Sequence, residues 1–169
     1  MDYRIEDDFD VSASRYWEVF FDETYNQALW NQLDIGWEML SLERKGEGDD
    51  LVIERRQRLT PRREVPALLS KFVSDKIAYT EHNVFKARDN AMKTITTPSF
   101  MADKIVTEGV YRLEVVSDSK VRRVWEGLAK VKLPLVGGRI EKHLVEEIRE
   151  SYRHATAFTR TWHTEHPGE

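Results

Sequence analysis

The sequence predicts an α+β fold: a seven-stranded antiparallel sheet wrapped around a long C-terminal helix, with two short helices after the first strand. Three observations predict it. Apolar residues recur at every second position in runs separated by short turn clusters, two capped segments of helical spacing follow the first run directly, and apolar residues step by three or four from Pro134 to about Trp162. Short connections favour an antiparallel meander, and only the final helix is long enough to cross such a sheet and cover its apolar face.

Taken in order, Tyr3 to Phe9 reads as the first strand. Ser12 is placed to cap a helix with Tyr16, Val19 and Phe20 on one face. Asp22 or Thr24 is placed to cap a second, whose Tyr25, Ala28, Leu29 and Leu33 share a side until Asp34 and Gly36 end it. From Ile35 the period falls to two, which puts Trp37, Met39 and Ser41 on one side of a strand ending in Gly46-Glu47-Gly48-Asp49-Asp50. The next strand runs from Leu51 to Leu59; Thr60-Pro61 is expected to break it, and Pro66 to open a short helical insertion through Val73. Four strands follow, Ile77 to Ala87, Ala91 to Thr97, Ile105 to Val116 and Val121 to Leu133. They are separated by Arg88-Asp89-Asn90, by the Pro98 to Lys104 loop and by Ser117-Asp118-Ser119. The last helix carries Ile140, Leu144, Ile148, Tyr152, Ala155, Phe158 and Trp162 in one stripe, and residues 163–169 are expected to fray.

Composition bounds the function. The 169 residues suit one domain, residues 1–169, that buries about two-thirds of its unfolded surface. A net charge of −4 gives no overall positive field for nucleic acid. The absence of cysteine removes disulfides, thiolate metal sites and thiol nucleophiles. No apolar run approaches the roughly 18 residues of a membrane span, and the acidic start Met1-Asp2-Tyr3-Arg4-Ile5-Glu6 lacks the basic and apolar regions of a signal peptide. The expectation is a soluble, cytoplasmic protein. His82, His143, His154, His163 and His166 show no zinc-helix spacing, so neither a metal nor any other cofactor is expected. Gly-x-Ser-x-Gly and the Walker pattern are missing too.

The element order, with Pro134-Leu135-Val136-Gly137-Gly138-Arg139-Ile140-Glu141-Lys142 leading from the last strand into the final helix, resembles the START-like (SRPBCC, helix-grip) superfamily. Within it the chain most resembles a bacterial family of uncharacterised function. The likeness spans nearly the whole chain in element order, and its specific part is that nine-residue passage. The resemblance implies a deep apolar cavity between sheet and helix. Members bind sterols, phospholipids, polyketides or plant hormones, a minority are cyclases or hydrolases, and no shared catalytic residue carries over.

The residues themselves give partial support. Alternation puts Val121, Arg123, Trp125, Gly127, Ala129 and Val131 on one face of the last strand, and Ile105, Thr107, Gly109, Tyr111 and Leu113 on the matching face of its neighbour. Small residues stand mid-strand in both, either to let the helix approach or to leave room for a ligand. If Ile53 and Leu59 point inward, so do Arg55 and Gln57; if Ile77, Tyr79 and Phe85 do, so do Glu81 and Asn83. Arg55 beside Glu81 would form a structural ion pair or a polar handle for a ligand, while a one-residue slip would turn all four outward. The stretch Arg55, Arg56, Arg58, Arg62 and Arg63 alternates over both faces and has no interleaved aromatic, so it reads as a solvated strand with carboxylate partners.

The leading reading is a lipid-binding or transfer protein, without catalysis, for a lipid, sterol or polyketide-like molecule in a hydrophobic cavity. Its candidate ligand-binding residues are Trp37, Arg55, Glu81, Tyr111, Trp125, Gly127, Leu144, Ile148 and Tyr152. The insertion from Pro61 to Val73 and the Pro98 to Lys104 loop, with Phe100 and Met101 at its apex, are candidates for a gate. The expected partner is a hydrophobic small molecule, with transient membrane contact and no nucleic acid, for a monomer or homodimer. A cyclase or hydrolase using Glu81, Arg55, Tyr111 or Tyr152, and a filled-core interaction domain, stand as alternatives.

Overall fold

A computed structural model describes residues 1–62, 64–73 and 76–168. The chain runs β1 (Asp2–Phe9), α1 (Ala13–Phe20), α2 (Glu23–Gln32), β2 (Ile35–Lys45), β3 (Val52–Pro61), β4 (Tyr79–Lys86), β5 (Ala91–Pro98), β6 (Ile105–Ser117), β7 (Lys120–Val131) and α3 (Gly137–Glu165). All strand pairs are antiparallel, in the order β1-β7-β6-β5-β4-β3-β2. The sheet curls around α3, which packs on β7 and β1. The predicted α+β helix-grip architecture is therefore the observed one.

Local chemistry places these elements. The Ser12 hydroxyl accepts from the Arg15 amide and the Asp22 carboxylate from the Tyr25 amide, so each short helix has a side-chain cap for its free N-terminal donors. Asn90, at φ 48°, turns the chain from a single 3₁₀ turn (Ala87–Asp89) into β5 and sets the β4–β5 register.

Four expectations need correction. β3 does not stop at Thr60-Pro61: Pro61 sits opposite Ile35 at the strand's last position, where a missing donor is tolerated. The segment after Pro66 is a run of turns closed by the Leu69 and Ser70 amides on the Pro66 carbonyl, not a regular helix. A bulge between Met39 and Ser41 reverses the pleat of β2, so Ser41 lies opposite outward-facing Arg56 and Leu42 opposite inward-facing Arg55. Residues 163–165 do not fray but continue α3, and Arg15 donates to the His166 carbonyl just beyond its end.

The core is layered along the sheet. Phe9, Tyr16, Trp17, Phe21, Phe85, Tyr111 and Trp125 fill the end beneath α1. Ile77, Ile105, Val131 and Ile140 fill the other, roofed by the insertion and the Phe100 loop. Tyr25 and Leu29 of α2 pack on the C-terminal part of α3. None of the described helices is long and apolar enough to cross a membrane.

A candidate ligand site between the sheet and the last helix

Between the two apolar ends, register lines polar residues across the inner face. One row runs Met39, Gln57, Glu81, Thr96, Thr107, Ala129; the next runs Arg55, Asn83, Thr94, Gly109, Gly127, Tyr3. Arg55, Gln57, Glu81 and Asn83 therefore all point inward, but Arg55 and Glu81 are not an ion pair. Arg55 donates from Nε to Asn83 Oδ1 at 2.9 Å and from Nη1 to the Phe20 carbonyl at 3.3 Å and Asn26 Oδ1 at 3.4 Å. Its guanidinium lies 4.9 Å and 5.1 Å from the ring centres of Phe20 and Phe21. Burial brings its pKa down to about 10, with the charge of Glu81 acting against that, so it remains a cation at neutral pH. Asn83 passes the chain on to Thr94. This row is a structural polar network sealed beneath aromatic rings.

Glu81 belongs to the other row. Its Oε2 accepts from Gln57 Nε2 at 2.8 Å, and Gln57 Oε1 accepts from the Trp37 indole at 2.9 Å. Glu81, Thr96, Thr107 and Trp37 face inward yet stay partly exposed, as do Leu144, Ile148 and Tyr152 on the opposing side of α3. Besides burial, the charge of Glu81 raises the pKa of the Tyr152 phenol on α3. Burial raises the pKa of the Tyr3, Tyr111 and Tyr152 phenols, which are neutral donors and acceptors here rather than bases.

Two openings flank this half. A groove of about 800 Å³ lies between the α2–β2 corner, with Leu33 and Ile35, and the α3 residues from Glu147 to Thr161. A cleft of about 60 Å³ lies between Pro66, Leu69 and Tyr79 on one side and His143, Leu144 and Glu147 on the other. Ile35 edges the groove and Tyr79 the cleft, each two positions before an inward residue of its strand, Trp37 on β2 and Glu81 on β4. A hollow of about 700 Å³ on the outer face lies among Arg4, Lys93, Glu108 and Glu126, of which Arg4 and Glu126 pair with each other.

The remaining candidates fall elsewhere. Tyr111 and Trp125 are buried in the aromatic end, Tyr111 sharing a hydrogen bond with Tyr16, and Trp125 stacks on Tyr152 at 5.9 Å. Gly127 offers no free volume: an added Cβ would stand 2.4 Å from the Tyr3 ring. The small residues of β6 and β7 thus make way for the chain's own rings. Leu144 packs with the insertion and the Phe100 loop. Sequence reasoning passed over Thr96, which cross-strand register reveals, and left Thr107 and Arg123, both placed on the inner face by alternation, out of the candidates; the Arg123 guanidinium meets Asp7 and Thr156. Of the basic stretch, Arg58 pairs with Glu38 at 2.7 Å and Arg62 with Asp34 at 3.6 Å, while Arg63 lies outside the described residues. Among the described residues no group of three or more His, Asp or Glu could hold a metal ion.

His163 carries a pH response. Its partly buried ring lies 5.8 Å from Tyr16, its Nε2 is buried without a partner, and burial, assisted by Arg15, pushes its pKa down to about 4. The native state thus prefers the neutral ring while the unfolded chain takes up a proton near pH 6.5. Stability is full above about pH 6.5 and is lost as pH falls toward 4. Urea midpoints at pH 7 and pH 5 should differ in the wild type and converge in His163→Phe; an unchanged difference would assign the effect to other groups.

The element order and the sheet topology define the class: an α+β protein of helix-grip fold. The chain belongs to a family described as proteins of unknown function (DUF2505), whose model matches residues 4–162. Curated proteins provide no sequence match. Among solved structures it is similar to the ZhuI aromatase/cyclase from Streptomyces sp. R1128, with TM-score 0.63, 10% identity and coverage of 98% of this chain and 94% of that one. It is similar also to norcoclaurine synthase from Thalictrum flavum, in complex with dopamine and hydroxybenzaldehyde (0.58, 15%, 100% and 89%). A START superfamily protein from Mycobacterium smegmatis is a third such structure (0.58, 18%, 91% and 92%).

Proposed function

We propose that the chain binds a hydrophobic small molecule, lipid, sterol or polyketide-like, in the half of the grip between β2–β5 and α3, with the insertion and the Phe100 loop as its gate. One observation carries this reading. Side chains that face the interior there, Trp37, Glu81 and Thr96, with Thr107 of the adjoining β6, keep partial exposure, whereas Tyr111 and Trp125 beneath α1 are buried. A helix-grip fold is also shared with an aromatase/cyclase and with a norcoclaurine synthase bound to two small molecules, which supports a small-molecule role. Affinity would come from apolar burial at about 25 cal/mol per Å² before ordering costs. The Ser99 amide donates to the Ala78 carbonyl at 2.8 Å and would anchor the Phe100 loop to the chain just before β4.

Native mass spectrometry of the purified protein, with extraction of what copurifies, tests the reading. The expected result is an apolar adduct of a few hundred daltons that is lost on denaturation. Thr107→Phe, which adds volume at a partly exposed inward position, should remove the adduct and leave the melting temperature within a few degrees. An adduct that survives Thr107→Phe would place the ligand elsewhere.

A further inference from the structure

We infer that the molecule held in this half of the grip presents a hydrogen-bond-donating end, an ammonium, hydroxyl or phenol group, and not a carboxylate or phosphate, and that Glu81 receives it. The inference rests on the binding reading above and adds the polarity of the occupant.

The middle of the inner face carries four ionised side chains, Asp7, Arg55, Glu81 and Arg123, and three of them are committed. Arg123 is 3% exposed and donates from Nη2 to both Asp7 and Thr156. Arg55, 2% exposed, points its donors away from the open half, toward Asn83, Asn26 and the Phe20 carbonyl, with Phe20 and Phe21 over its plane. Neither cation is free to meet an anionic ligand.

Glu81 differs. Only its Oε2 has a donor among the described residues, and the Trp37 indole fixes the Gln57 amide so that its NH₂ is the group facing that oxygen. Oε1 is left as an acceptor on a partly exposed side chain, next in register to Thr96. A ligand donor placed there completes the carboxylate's hydrogen bonds in a region of low dielectric. A ligand anion would instead lie against a like charge with no cation to offset it.

The test uses three ten-carbon probes differing only in their end group, decylamine, decanol and decanoate, each titrated below its micellar concentration with tryptophan fluorescence as readout. Wild-type protein should bind decylamine and decanol at least about tenfold more tightly than decanoate. Glu81→Gln keeps an acceptor and the Gln57 contact but removes the charge; it should weaken decylamine about tenfold, strengthen decanoate and move decanol little. Glu147→Gln at the mouth should leave the ranking unchanged. Equal binding of all three probes, or an unaltered ranking in Glu81→Gln, overturns the inference while the binding site stands. Binding of none, together with a clean apo mass, overturns the site itself and this inference with it.

Discussion

Adding a single methyl group at Gly109 is expected to destabilise the fold by about 3 kcal/mol, the upper end for overpacking a core. A Cβ built there stands 2.5 Å from the Glu126 carbonyl oxygen, 2.9 Å from the Gly127 Cα and 2.9 Å from Cζ2 of Trp125. Two of those contacts are backbone of β7, so relief requires β6 and β7 to separate where Gly109 faces Gly127. Gly127→Ala meets side chains instead, Tyr3 Cζ at 2.4 Å and Trp125 Nε1 at 2.7 Å, and is expected to cost about 1–3 kcal/mol because the Tyr3 ring has little room to move. Trimming that ring should relieve the clash. In a cycle of Tyr3→Ala with Gly127→Ala, urea midpoints should show the double variant more stable than the sum of the single effects by at least about 1 kcal/mol. Additive costs would mean that Tyr3 does not occupy the space above Gly127. Gly127→Leu is accordingly a folding variant, unsuited to blocking a ligand.

This glycine pair also shows where the sequence stops being legible. Alternation placed Gly109 and Gly127 on the inner face and set Arg55 with Ile53 and Glu81 with Phe85, leaving open which way those two faces point; the ladders turn both inward. What fills the space above a glycine depends on which ring leans over it, and Tyr3 comes from the first strand of the chain, far away in sequence. Pairing is similarly non-local. Arg55 faces Asn83 rather than Glu81 because the β3–β4 ladder fixes the register to the residue, and one step of two positions separates an ion pair from a hydrogen bond to an uncharged amide. The bulge at Met39/Ser41 leaves no mark in the alternation of β2, whose exposed distal half constrains it little. The caps, by contrast, were readable down to one choice, Asp22 or Thr24 for the second helix, since Ser12 and Asp22 act on amides three residues away.

The neighbouring residues Asp7 and Asp8 allow burial to be separated from charge. Both are aspartates on β1 and both pair with adjacent arginines of β7, Asp7 with Arg123 and Asp8 with Arg122. The Asp8–Arg122 pair is exposed, with side chains 34% and 44% accessible, and Asp8→Asn is expected to cost less than about 1 kcal/mol. Asp7 is the only carboxylate bonded to Arg123, whose side chain is 3% exposed and whose Nε is buried without an acceptor among the described residues. Phe9 and Tyr152 lie 5.1 Å and 4.9 Å from its guanidinium carbon and offer cation–π attraction, but neither supplies a counter-charge. Asp7→Asn leaves that cation buried and uncompensated, and is expected to cost about 3–5 kcal/mol, a loss visible as a fall of the urea midpoint at unchanged slope. Arg123→Met in the Asp7→Asn background removes the stranded charge and should restore most of the stability, because an apolar side chain of similar reach can pack among the same rings. Equal small effects of Asp7→Asn and Asp8→Asn would show that water reaches Arg123 and that this end of the inner face is not closed.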